Sequence, residues 1–213
     1  SRVTPNDKIL DNKMINIAIT GAGGRMGKAL IEAVTQTDAL QLSAAIERPD
    51  SSLIGVDSGE LAGIGRNSIT VVSSLQEVVD QFDVLIDFST PASAAANIAL
   101  CAEQGKKIVV GTTGFDEQQL KNINQASEKT AICMASNYAT GVNLCFKLAE
   151  IAASILGDDV DIEISETHHR HKVDAPSGTA LLLGDAAAQG RKIDLASHSV
   201  RSRDGHTGAR REG

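Results

Sequence analysis

The sequence predicts an α/β chain in which a doubly wound parallel sheet precedes a smaller α+β unit. Three observations carry that prediction. Short apolar runs alternate with helical periodicity through the first half of the chain, the pattern of successive βαβ units. The first run, with Ile15, Ile17 and Ile19, leads straight into a glycine-rich turn over residues 21–27. After Asn137 the alternation gives way to one long apolar helical stripe, one alternating run and a polar loop.

The elements follow in order. Residues 15–20 form the first expected strand, beginning just after Met14. Met26, Ala29, Leu30, Ala33 and Val34 recur at i, i+3, i+4, i+7 and i+8, which marks one face of a helix. Residues 40–47 read as the second strand, and 69–72, 84–88, 107–111 and 131–135 supply further ones. Helices are expected over 92–104 and 116–128. This is a Rossmann-like doubly wound layout, suited to binding a dinucleotide. Beyond it, residues 141–156 read as a helix ending at Gly157, a residue that suits a helix cap. Residues 160–168 alternate, with Val160, Ile162 and Ile164 on one face of an expected strand. A helix from Gly178 to near Gln189 follows a polar loop containing Pro176.

Three segments result: a polar extension or tag remnant over 1–13, a dinucleotide-binding domain over 14–138, and a substrate-binding domain over 139–213. One helix on one strand cannot cover both faces of that strand, because a sheet needs several. The second domain therefore reads as incomplete at its C-terminal end, with Ile162 and Ile164 short of partners.

Composition narrows the function. The chain has 213 residues, of which 42% are hydrophobic, and its formal charge is −7. That charge argues against a nucleic-acid surface, which needs a basic patch, and the 2% of aromatics offers no stacking platform. No run approaches the roughly 18 to 20 uninterrupted apolar residues of a membrane span. Cys101, Cys133 and Cys145 have no paired metal spacing and each sits in an apolar run, so all three read as inert core cysteines of a cytoplasmic protein.

The turn reads GAGGRMG. The common G-x-G-x-x-G pattern would need glycine at Met26; the glycines fall instead at Gly21, Gly24 and Gly27, with Gly23 as an extra. The physics survives the shift, since glycine lets the backbone turn tightly and approach a pyrophosphate on a helix N-terminus. About 20 positions on, an acid is expected to hold the adenosine ribose, and Glu47 is there. Arg48 follows and could bind a 2′-phosphate; otherwise the two are solvated charges at a strand end. GTTGF over 111–115 and ASNYATG over 135–141 lie at strand ends, where open α/β sheets bind ligands. By themselves they are ordinary loops.

The segment ETHHRHKVDAPSGTA, residues 166–180, is the densest in chemistry. His169, Arg170, His171 and Lys172 crowd beside His168, and the Ser177-Gly178-Thr179 turn opens a helix whose first N–H groups attract anions. That combination suits a small carboxylate substrate and a proton donor. A metal held by the histidines and a merely solvated basic loop are the competing readings, although closed metal sites add cysteine or carboxylate ligands in an ordered pattern.

This segment resembles the signature of the 4-hydroxy-tetrahydrodipicolinate (dihydrodipicolinate) reductases. GAGGRMG and GTTGF match the family's other motifs in order and spacing, and SRDGHTGAR over 202–210 resembles it too. The resemblance runs from Met14 to about Arg210. It implies reduction of a small cyclic dicarboxylate by NADH or NADPH in the diaminopimelate route to lysine. It further implies that Gly21, Ala22, Gly23, Gly24, Arg25, Met26, Glu47, Arg48, Gly111, Thr112, Thr113, Ala135, Ser136, Asn137 and Tyr138 contact the cofactor. His169, Gly178 and Thr179 would hold the substrate, with His168 as proton donor, Lys172 as its cationic partner and no metal. Family members continue beyond Gly213 and assemble as homotetramers. Two other classes remain at this point. A semialdehyde dehydrogenase would need an electropositive cysteine, and a nucleotide-sensing module without turnover would have no need of the intact ETHHRHK loop.

Overall fold

The computed structural model describes residues 14–170, 172, 174–201 and 204–206. The expected extension over 1–13, His171 and most of the 202–210 motif lie outside the described residues. The chain divides into two units, Ser1–Ala135 and Ser136–Gly213.

The first unit is built on β1 (Ile15–Thr20), β2 (Leu40–Ile46), β3 (Val71–Val72), β4 (Val84–Asp87), β5 (Lys107–Val110) and β6 (Ile132–Met134). They pair in parallel in the order β3-β2-β1-β4-β5-β6, the doubly wound arrangement, whose order reverses between β1 and β4. Helices α1 (Arg25–Thr35), α2 (Ser58–Ala62), α3 (Pro91–Glu103) and α4 (Glu117–Ser127) complete the unit. Strand residues alternate between two cores, as the period of two requires. Ala18 and Leu85 join Phe82, Ile98, Cys101 and Ile108 on one face. Ile17 and Ile19 join Ile31, Val34 and Val71 on the other. Two helix starts follow local chemistry: Thr90 caps α3 with Pro91 in its first turn, and Asp116 forms a capping box with Gln119 at α4.

Two expectations about this unit need correction. The buried residues of α1 are Gly27, Ile31 and Val34, with Leu30 packed against the same core. Of the expected Met26-Ala29-Leu30-Ala33-Val34 stripe, Leu30 and Val34 therefore face inward, while Ala29, Ala33 and Met26, 46% exposed, do not. The cause is close docking at Gly27, where a Cβ would come within 2.1 Å of the Gly21 carbonyl oxygen. The strand expected over 69–72 shrinks to Val71–Val72. Thr70 bridges instead to Asp57, and the Ile69 carbonyl accepts from Ser58 N–H at 2.8 Å. Asp57 organises this loop, accepting from the N–H groups of Gly59, Glu60, Asn67 and Ser68.

The second unit contains α5 (Thr140–Leu156), β7 (Asp174–Ala175), α6 (Gly178–Arg191), α7 (Leu195–His198) and β8 (Gly205–His206). Helices α5 and α6 pack closely at Gly190, where a Cβ would lie 2.2 Å from the Glu150 carbonyl oxygen and 3.0 Å from Ala153 Cβ. Thr140–Asp159 is long and apolar enough, by composition, to cross a membrane. One side of it docks on α6 around Ala153, its one buried residue. Lys147 and Glu150 pair at 2.8 Å, and Leu144, Leu148, Ile151, Ile155 and Leu156 are exposed. The strand expected over 160–168 is absent: no ladder pairs with it among the described residues, and Ile162 and Ile164 are 43% and 39% exposed. Alternation creates two faces, but backbone pairing with a neighbour makes a strand. Among the described residues, the sheet of this unit is the short antiparallel pair of β7 and β8.

Candidate active site

The glycine turn begins where β1 ends. Gly21 takes φ +68°, a conformation that favours glycine, and its carbonyl accepts from Gly24 N–H at 3.0 Å. Gly24 is the N-cap of α1 and brings no side-chain cap, and the first turn carries no acid. The N-terminal N–H groups of α1 thus open toward an anion with no side chain of the cap competing for them. Ala22 is buried, while Arg25 and Met26 are exposed. Just before the turn, the buried Thr20 hydroxyl lacks a hydrogen-bond partner among the described residues. An uncapped helix start and an orphaned hydroxyl beside it fit a cofactor that supplies phosphate and sugar oxygens.

Glu47 and Arg48 occupy the end of β2, as expected, but they face different company. Glu47 Oε1 accepts from Gly23 N–H at 2.8 Å, which ties the acid directly to the turn. Arg48 is exposed and pairs with Asp50 at 3.4 Å, both side chains being about three-quarters exposed; such a pair contributes little and leaves the guanidinium available.

Sequence reasoning missed the group that joins the next two loops. Asp87, at the end of β4, is fully buried. Its Oδ1 accepts from Ser89 N–H at 3.0 Å, Ser89 Oγ at 2.7 Å and Thr112 Oγ1 at 3.1 Å, and its Oδ2 from Asn97 Nδ2 at 2.7 Å. Thr112 Oγ1 in turn accepts from Ser89 N–H at 2.9 Å. A carboxylate so satisfied can remain buried. The network locks the Phe88–Thr90 loop to the Gly111–Thr113 loop. Gly111 lets the Phe88 ring lie against the backbone, for a Cβ there would come within 2.0 Å of it. The available signal was an aspartate closing an apolar strand ahead of Ser-Thr-Pro.

Thr113 is exposed beside Thr112. Ala135 closes the first unit, its N–H donating to the Val110 carbonyl at 3.2 Å. Ser136, Asn137 and Tyr138 belong to the second unit, where Asn137 Oδ1 accepts from Ala139 N–H at 2.7 Å and its carbonyl from Asn143 Nδ2 at 3.0 Å.

The second cluster gathers around Glu166. Its Oε1 accepts from Ser177 N–H at 2.7 Å, and its Oε2 from Ser177 Oγ and from His168 Nε2, the latter at 2.9 Å. Burial raises the Glu166 carboxyl, but hydrogen bonds from Ser177 and His168, with the imidazole's charge, outweigh it and bring the pKa down to about 2. Ser177 is the N-cap of α6, and its hydroxyl oxygen accepts from Ala180 N–H at 3.1 Å. Gly178 and Thr179 occupy the first exposed turn of that helix. Glu166, His168 and Lys172 share the wall of an open cavity of about 1040 Å³ with Pro176, Ala180 and Arg201. His169 is exposed and does not line that cavity; its carbonyl accepts from Lys172 N–H at 3.2 Å.

Of the cysteines, Cys101 is buried and burial, with Asp87 nearby, pushes its thiol up to about 12, an inert group. Cys133 and Cys145 are exposed, so the expectation that both are core residues fails. Apolar neighbours in sequence do not reveal which face a residue takes.

Family models of dihydrodipicolinate reductase match this chain twice, the N-terminal model over residues 15–138 and the C-terminal model over 141–212. A curated 4-hydroxy-tetrahydrodipicolinate reductase of Saccharophagus degradans is 54% identical over 194 residues, covering 91% of this chain and 72% of the relative. A dipicolinate-bound dihydrodipicolinate reductase from Paenisporosarcina sp. TG-14 superposes with a TM-score of 0.68 at 31% identity, covering 84% of this chain and 67% of that one. The WlbA dehydrogenase of Bordetella pertussis, solved with NADH and UDP-GlcNAcA, reaches a TM-score of 0.51 at 18% identity, with 64% and 42% coverage, and shares the fold alone.

Proposed function

The chain belongs to the dihydrodipicolinate reductase family, and from that premise we propose that it reduces 4-hydroxy-tetrahydrodipicolinate, with NADH or NADPH, in the diaminopimelate route to lysine. One observation supports the site assignment above the others. The Glu166–His168 pair, Lys172 and the start of α6 belong to one loop system, and the pair shares a cavity wall with Lys172. Acid, cation and anion-attracting turn are what a small cyclic dicarboxylate requires.

In this reading residues 14–138 bind cofactor and 139–213 bind substrate. Gly21–Met26 and the start of α1 take the pyrophosphate, Glu47 the ribose hydroxyls and Arg48 a 2′-phosphate. Gly111, Thr112, Thr113 and Ala135–Tyr138 border the nicotinamide, which supplies hydride when bound. Gly178 and Thr179 hold one substrate carboxylate through the N–H groups of α6, and His169 assists. His168 gives the proton, and Lys172 stabilises negative charge in the transition state. The active form is a cytoplasmic homotetramer, with neither nucleic acid nor membrane as partner.

A turnover assay tests the whole reading: the purified protein should consume NADH or NADPH only when the cyclic substrate is present. No substrate-dependent loss of the reduced nicotinamide would sink it.

A further inference from the structure

We propose that Glu166 is the positioning residue for His168, holding Nε2 so that the imidazole delivers its proton from Nδ1. The proposal rests on the reading of His168 as proton donor and adds the atom that donates and the group that dictates it.

The geometry carries it. His168 Nε2 and Glu166 Oε2 are 2.9 Å apart, and the two side chains are 33% and 28% exposed. A carboxylate only accepts hydrogen bonds, and Glu166, with a pKa of about 2, stays a carboxylate at neutral pH. The nitrogen facing it must therefore carry hydrogen, which assigns Nε2–H. In the imidazolium, Nδ1–H is then the proton free to leave. Its transfer to the substrate ring leaves the neutral Nε2–H tautomer, still bonded to Glu166, so the balance closes on one proton with no change at the glutamate. This is the division of labour of a carboxylate that orients a histidine without taking its proton.

The same carboxylate is fixed from the other side. Ser177 donates to it through both N–H and Oγ–H, while Ser177 Oγ also accepts from Ala180 N–H. Glu166 therefore joins the proton donor to the N-cap of the helix whose first turn, Gly178-Thr179, would hold the substrate carboxylate. Donor and anion site are set in one frame, which is how a supporting residue preserves near-attack geometry. The charged groups Lys172, Arg191, His198 and Arg201, with Asp161 and Glu163, line the cavity around this frame. The bonds to Glu166 come from His168 and Ser177.

Two measurements on the full chain test it. In protein labelled with ¹⁵N-histidine, at a pH where the ring is neutral, His168 should show the Nε2–H tautomer; a dominant Nδ1–H tautomer overturns the proposal without any variant being made. In kinetics, Glu166→Ala should lower kcat roughly 10- to 100-fold, below the full effect of losing the acid, with KM for NADH unchanged. Glu166→Asp should restore part of the loss, and in the alanine variant the Nε2–H population should fall toward that of free histidine, which itself favours Nε2–H. If Glu166→Ala keeps kcat within about twofold while His168→Ala loses roughly 10²-fold or more, the positioning role fails and the proton-donor reading stands. If His168→Ala itself keeps its kcat, that reading fails and the proposal falls with it.

Discussion

Asp87, the last residue of β4, and Thr112, two residues past the end of β5, share a hydrogen bond of 3.1 Å shielded from solvent. Through it the loop after β4 and the loop after β5 become one rigid rim. Thr112→Val keeps the shape but removes a donor from a buried carboxylate, which costs about 1–3 kcal/mol. Urea unfolding followed by circular dichroism should show that loss, and NADH titration should show several-fold weaker binding. Unchanged cofactor affinity would detach this rim from the cofactor site.

Glycine positions should divide by the space around them. Gly27→Ala would push a methyl to 2.1 Å from the Gly21 carbonyl, so it should destabilise the fold by about 1–3 kcal/mol and weaken NADH and NADPH together. Gly141→Ala, in α5 with nothing within 4 Å of the new Cβ, should be neutral or stabilising by up to about 1 kcal/mol. Thermal melts of the two variants check the contrast.

The cofactor pair makes a selective prediction. Arg48 is exposed and only loosely paired with Asp50, so Arg48→Ala should leave the fold intact and raise KM for NADPH about 5- to 20-fold, the worth of one or two charge-assisted hydrogen bonds. NADH should be little affected. Equal losses for both cofactors would show that Arg48 does not read the 2′-phosphate.

The cavity residues should separate by kinetic constant. His168→Ala and Lys172→Ala should lower kcat roughly 10²- to 10³-fold with NADH binding preserved. His169→Ala, at an exposed residue outside that cavity to which the proposed function gives a part in substrate binding, should mainly raise KM for the substrate. A reversed pattern would exchange the roles of the two histidines.

Acid should attack the second unit through Glu166. Its folded pKa is lowered from 4.5 to about 2, so the bonds it makes contribute fully above pH 4.5 and are lost as pH falls toward 2. That contribution is at most about 3 kcal/mol before solvent screening. Glu166→Gln should flatten the stability–pH curve across that window. An unchanged curve would mean that other carboxylates govern acid unfolding.

Much of the fold was legible in the sequence because its signals are local. The apolar runs of β1, β4 and β5, the glycine turn and the helix patterns each depend on neighbours within a few residues. The loop of residues 166–180 declared its chemistry by composition, and the motifs around it pointed to one family. Position-specific placement was not local. The face of α1 is set by Gly27 meeting Gly21 across the turn, and the shortened β3 by Asp57 drawing Thr70 away. Cys133 and Cys145 are exposed on elements that leave most of their residues uncovered.

The sequence by itself determined the kind of layers, the order of elements and which residues could carry charge or protons, since these follow from residue type and spacing. Tertiary structure alone decided which of those groups meet. Asp87 reaches Thr112 across 25 positions, Gly23 meets Glu47 across 24, and Glu166 bonds both His168 and Ser177. Such contacts form only when separate segments are brought to hydrogen-bond distance. The alternating run over 160–168 shows the converse: its pattern marks two faces, but a strand exists only where another backbone pairs with it.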